Sequence, residues 1–219
     1  MLSPKVLVAF ISVIMAFCSM TYQFSIAQVL TSLYGGTVFR YSLSTGIYIA
    51  SLGIGGFLFF IPEVKRRAGR SFLLVELTLS MMGFIGPLVV LGFEAMFDSG
   101  DLVAYFWLSL LGLLSGLEIP LLMQLASKFI QRPLGLVLGS DYLGTCLACL
   151  VFPLIFLPEF GILYTSIFLG FINGLIVVGY LHYSGSRAWK LSAVGCVLSI
   201  CLAFVYLPVY VERLTLEIF

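Results

Sequence analysis

Residues 6–30 read VLVAFISVIMAFCSMTYQFSIAQVL, without one charged side chain. As a helix at 1.5 Å per residue this run is ~38 Å long, more than the ~30 Å hydrocarbon core of a bilayer. Lys5 precedes it, as a basic residue precedes the apolar segment of a secretory signal. The run continues past Cys18 to Leu30, too long for a cleaved apolar segment. Phe17 before Cys18 also spoils a lipoprotein cleavage site, which wants a small residue there. The segment therefore reads as a retained first membrane helix.

The rest of the chain follows the same pattern. Of 219 residues, 61% are hydrophobic and 10% charged, where a soluble domain carries roughly a quarter charged residues. The charges are clustered and leave seven apolar spans: Val6–Leu30, Tyr41–Ile61, Phe72–Gly92, Leu102–Gln124, Leu136–Leu157, Ile162–His182 and Trp189–Leu207. Each is long enough to cross a bilayer, and the short connections leave no room for a soluble domain between them. The expected fold is all-α, a polytopic membrane bundle of about seven helices forming a single domain over residues 1–219. The lipid bilayer is its solvent. The net charge of +1 gives no field that would draw nucleic acid.

Loop charges set the orientation. Lys65, Arg66, Arg67 and Arg70 follow the second span, Lys128 and Arg132 the fourth, and Arg187 and Lys190 the sixth. Glu94, Asp98, Asp101 and Glu159 fall in the alternate loops. Basic loops face the cytoplasm, so the N-terminus is expected inside. Seven spans would then put Phe219 outside. Spans one to three would start inside and spans four to six outside, the arithmetic of a 3+3 inverted repeat with one added helix. Spans two and five are both rich in small residues: Gly46, Ala50, Gly53, Gly55 and Gly56 against Gly139, Gly144 and Ala148. Such residues let helix backbones approach closely in lipid, as do Gly112 and Gly116 on span four, and they also permit a homo-oligomer. Gly53, Gly55 and Gly56 follow no strand and lack dinucleotide-binding spacing. All five cysteines lie in apolar runs, and Cys146-x-x-Cys149 has no second pair or histidine to complete a metal site. No metal or cofactor is expected.

Three carboxylates fall inside the spans. Each costs ~2.5–3.5 kcal/mol at the bilayer centre unless it finds a partner, a proton or water. Glu76 lies ~9 Å along its helix from Arg70, Glu118 ~15 Å from Lys128, and Asp141 less than ~14 Å from Arg132. All three should sit in the cytoplasmic half, lining one acidic cavity open to that side if their helices adjoin. Glu76 and Asp141 are also near enough to pair with Arg70 and Arg132. Pro120, two residues beyond Glu118, should free the Gly116 carbonyl and distort the helix. Gln124, one turn further, and Tyr22, Gln23 and Gln28 on the first span add polar candidates. Arg40 should snorkel to headgroups, His182 should lie at the inner interface, and Trp107 and Trp189 should join an aromatic belt.

Four segments together carry a resemblance: Tyr22–Gln28, RYSLSTGIYIASLGIGGFLFF at 40–60, GLEIPLLM at 116–123 and DYLGTCLACLVFPLIFLPEFG at 141–161. The combination resembles the membrane half of the bacterial polyamine aminopropyltransferases, the spermidine synthase-like membrane proteins. In that family helices precede a soluble Rossmann-like domain that uses decarboxylated S-adenosylmethionine. The family's glutamate position is Gln23 here, so the resemblance implies no carboxylate there. After Pro208 eleven residues remain, too few for a catalytic domain. The chain is expected to be either a membrane domain of a longer enzyme or a domain that exists alone, and no catalytic residue carries over. The expected function is a membrane module that binds or moves a polyamine or related small cation through Glu118, Asp141 and Glu76, with Gln23, Tyr22 and Gln124 nearby. A ligand-free structural anchor and an independent small transporter are the alternatives.

Overall fold

The computed structural model describes residues 3–184. The seventh expected span, Arg187, Lys190, Cys196, Cys201 and the C-terminus lie outside them, as does the side chain of His182. The helices are α1 (Pro4–Tyr34), α2 (Thr37–Leu58), α3 (Pro62–Arg66), α4 (Ala68–Phe97), α5 (Gly100–Ala126), α6 (Leu134–Val151) and α7 (Leu157–Ser184), with a π-helical turn at Phe152–Phe156. The architecture is all-helical, and by length and composition five helices suffice to cross a membrane. The expected count of seven is not reached among the described residues.

The fifth of these helices runs from Leu134 to Gly179 and is not straight. Gly161 has φ 67° and ψ 177°, a backbone shape closed to ordinary residues. Beyond it the chain doubles back. The Thr165 hydroxyl donates to the Phe156 carbonyl at 3.2 Å. The Phe156 and Phe168 rings meet edge to face at 6.1 Å, whereas twelve residues of continuous helix would separate them by ~18 Å. Spans five and six are thus the two arms of a hairpin. A second turn, with positive φ at Gly35 and Gly36, starts α2 four residues before the expected Tyr41. The short α3 in the basic loop was not expected. It starts on Pro62, which suits a helix's first turn, and Glu63 pairs there with Arg66 and Arg67.

α1 is the central helix. From Met15 to Leu30 it is buried on nearly every side, although Ser19, Thr21, Gln23 and Ser25 are polar. It packs against α2, α4, α5, α6 and α7. Small polar residues suit this position, because they allow close approach and bond locally; Ser25 donates to the Thr21 carbonyl and Thr21 to that of Phe17. Exposed side chains are often large and apolar, among them Val38, Phe57, Met96, Phe106 and Leu154. So much apolar surface fits a lipid-facing exterior.

Glycine decides the tightest contacts. Gly55 lies against the Leu113 carbonyl, and Gly116 against that of Leu52, too close for any side chain. Gly53 faces open space. Pro120 sits inside an unbroken α5 rather than ending it, and the Gly116 carbonyl lies towards Gly56 of α2. Trp107 is not in a belt. It lies between helices, its indole N–H donating to the Met82 carbonyl at 3.2 Å.

The loops sort onto two faces. Arg66, Arg67, Arg70, Gln124 and Lys128 line one cleft of about 430 Å³, so the loops after α2 and α5 share a side. At the other side the Tyr34 hydroxyl donates to Glu94, which also accepts from the Gly100 N–H at 2.9 Å. The Asp101 N–H donates to the Tyr34 oxygen. Arg40 stacks 4.8 Å over the Tyr34 ring and donates to the Tyr105 hydroxyl, contacts within the protein rather than a free reach to headgroups.

Candidate functional site

α4 and α5 run antiparallel side by side. Glu76 stands as far past the start of α4 as Glu118 stands before the end of α5, so the two reach the same level. They face each other, with Glu76 0% and Glu118 4% exposed. Glu118 accepts from the Ser19 hydroxyl of α1, 3.1 Å from one carboxylate oxygen and 3.4 Å from the other. Glu76 lies against Glu118 and against Asn173 of α7, yet neither of its oxygens finds a hydrogen bond of good geometry. It makes no bond to Arg70. Among the described residues, the groups acting on these two carboxylates are acidic or neutral.

The rest of the cluster is polar and short of partners. The Tyr22 hydroxyl, Ser115 hydroxyl and both side-chain polar atoms of Asn173 are buried without a hydrogen bond. Cys18 lies beside Tyr22 and within electrostatic reach of both glutamates. Tyr48 of α2 approaches Ser115 and Ser19. Buried polar groups are normally satisfied. Several such groups lie around the two facing carboxylates.

Of the expected site residues, Glu118, Glu76 and Tyr22 come together. Asp141 stands at the edge, half-buried on α6, its charge acting on Glu118 and Tyr48. Gln23 is buried but turns to α2, donating to the Thr45 hydroxyl at 3.1 Å. Gln28 accepts from the Tyr41 hydroxyl. Gln124 is elsewhere: it donates to the Lys65 carbonyl at 3.0 Å and lines the basic cleft. The expected acidic cavity open to the basic-loop side is corrected. The carboxylates are enclosed, and the cleft on that side is lined by cations. Asn173, Ser19 and Ser115 were not anticipated. Asn173 is the chain's single asparagine, set in an apolar run, and that was a readable signal.

Comparison with known proteins follows the motifs. The chain is 32% identical over 169 residues to the polyamine aminopropyltransferase of Leptospira interrogans, covering 76% of this chain and 32% of the relative. It is 31% identical over 160 residues to polyamine aminopropyltransferase 2 of Aquifex aeolicus, covering 72% and 32%. It is 29% identical over 207 residues to the polyamine aminopropyltransferase of Mycobacterium tuberculosis, covering 87% and 38%. No family model and no solved structure matches the chain. The chain spans about a third of the length of these relatives. The resemblance read from its motifs holds: homologues at 27–32% identity over most of this helical chain are polyamine aminopropyltransferases.

Proposed function

We propose that this chain is the membrane module of a polyamine aminopropyltransferase-type protein, and that Glu76 and Glu118 hold the ammonium group of a polyamine or related small organic cation. One observation carries the reading: two buried carboxylates face each other, and among the described residues neither is bonded to a lysine or arginine. A cation between them would remove their repulsion and offset the cost of burial through charge-assisted hydrogen bonds. Tyr22, Ser115 and Asn173 supply further oxygens for N–H donors. The similarity to relatives named for polyamine chemistry makes an amine the natural class. Asp141 at the edge is placed to attract a second amino group of the same ligand.

The module lies in a bacterial inner membrane with its basic face to the cytoplasm. A phosphatase fused in the Asp98 loop should be active and one fused after Lys128 silent; the reverse pattern would invert the orientation. This chain alone carries no catalysis. Calorimetric titration of the purified chain with spermidine tests the site. Glu118→Gln should weaken binding by ~1.5–3 kcal/mol, the scale of a hydrogen bond to a charged group. Unchanged binding would remove Glu118 from the site. Absence of binding in the unsubstituted chain would leave the ligand-free anchor.

A further inference from the structure

The packing around the carboxylate pair repeats itself. Gly55 of α2 sits beneath the Leu113 carbonyl of α5, and Gly144 of α6 sits beneath the Val13 carbonyl of α1 in the same way. Gly112 of α5 lies under the Tyr48 carbonyl of α2. The Ser12 hydroxyl of α1 donates to the Val137 carbonyl of α6 at 3.0 Å. The registers agree. Gly55 and Gly144 are as far apart in sequence as Tyr48 and Val137, and Val13 and Leu113 as far apart as Ser12 and Gly112. One correspondence therefore maps α1 on α5 and α2 on α6 and accounts for both contacts. The remaining pair, α4 and the arm of α7 beyond Gly161, meet each other where the Ser80 hydroxyl donates to the Gly170 carbonyl at 2.7 Å. α1 ends on the Glu94 side, where α5 begins, so the second set runs inverted.

In this correspondence the α1 position equivalent to Glu118 is Cys18, and Cys18 stands within reach of Glu118 itself. Glu118 is therefore close to the axis that relates the two halves, with Glu76 beside it. A site on such an axis bears the same relation to both membrane faces, so one rearrangement and its symmetry-related counterpart open it to either side in turn. The two repeats interlock, α2 packing chiefly on α5 and α6 chiefly on α1 with glycines set against backbone carbonyls, so the units free to shift are the α2–α5 and α1–α6 pairs, between which Glu118 and Cys18 meet. The enclosed state of the carboxylates fits an intermediate between two open forms.

We propose that the six arms form two inverted three-helix repeats whose α2–α5 and α1–α6 pairs shift about the Glu76–Glu118 pair, so that the chain carries its cation across the membrane. This rests on the reading of the pair as a cation site. Cys18 is a native reporter of access to it. The unsubstituted chain is treated with a membrane-impermeant maleimide in right-side-out and in inverted vesicles, without amine, and Cys18 labelling is read by mass spectrometry. The expected result is labelling of Cys18 from both sides, slowed several-fold when spermidine is added. Labelling from one side only, or from neither, overturns the carrier. Two-sided labelling that spermidine leaves unchanged keeps alternating access and removes the amine, so the two ideas fail separately.

Discussion

Glu118 and Gly55 are the residues on which most depends, and they were legible to different degrees. The depth of Glu118, and its closeness to Glu76 across adjoining helices, follow from counting residues to the nearest basic loop. What faces them does not, because Asn173 and Ser19 arrive from helices distant in sequence. Gly55 belongs to a glycine-rich stretch read as a packing face. Which glycine makes contact depends on how α2 is rotated against α5, and a run with glycine at three of four positions does not reveal that. Gly55→Ala would drive a methyl group into the Leu113 carbonyl, with a backbone rather than a flexible side chain in the way. The expected loss is ~1–3 kcal/mol, the usual cost of overpacking, seen as a lowered melting temperature in detergent. Gly53→Ala meets open space and should be neutral or stabilising by up to ~1 kcal/mol, the helix-propensity difference. Equal destabilisation by both substitutions would mean that α2 is rotated from the orientation described.

The helix boundaries were readable to within a few residues wherever a charge or a glycine pair closed an apolar run. The break between spans five and six was read between Leu157 and Ile162, and Gly161 reverses the chain there inside an almost continuous apolar stretch. Pro120 was expected to distort α5, which continues unbroken through it. The Glu94 junction joins three helix ends: Tyr34 closes α1, Glu94 ends α4 and Gly100 opens α5. Glu94→Ala leaves the Tyr34 hydroxyl and the Gly100 N–H without this acceptor. A loss of ~1–3 kcal/mol is expected, the cost of orphaning partly buried polar groups. Protection of the Gly100 and Asp101 amides in hydrogen exchange should fall with it, while amine binding at the distant carboxylates stays unchanged. Loss of binding in this variant would tie the junction to the site.

For the molecule as a whole, composition pointed to a helical bundle in lipid, and the all-helical architecture with five helices long and apolar enough to cross a membrane fits it. The alternation of basic and acidic loops anticipated which loops share a side, and the Arg66–Lys128 cleft and the Glu94 junction place them so. The proposed internal repeat was a matter of span arithmetic in the sequence. Its register rests on contacts between helices, since the residues it pairs, Gly112 and Ser12 or Tyr48 and Val137, share no chemistry. The central claim is that the enclosed carboxylates exist to hold an amine cation. Equilibrium dialysis of labelled spermidine against the purified chain and its Glu76→Gln/Glu118→Gln double variant tests it most directly. The unsubstituted chain should bind saturably, and the double variant, folded by the same melting criterion, should retain no saturable component. Equal saturable binding by both proteins would contradict the claim.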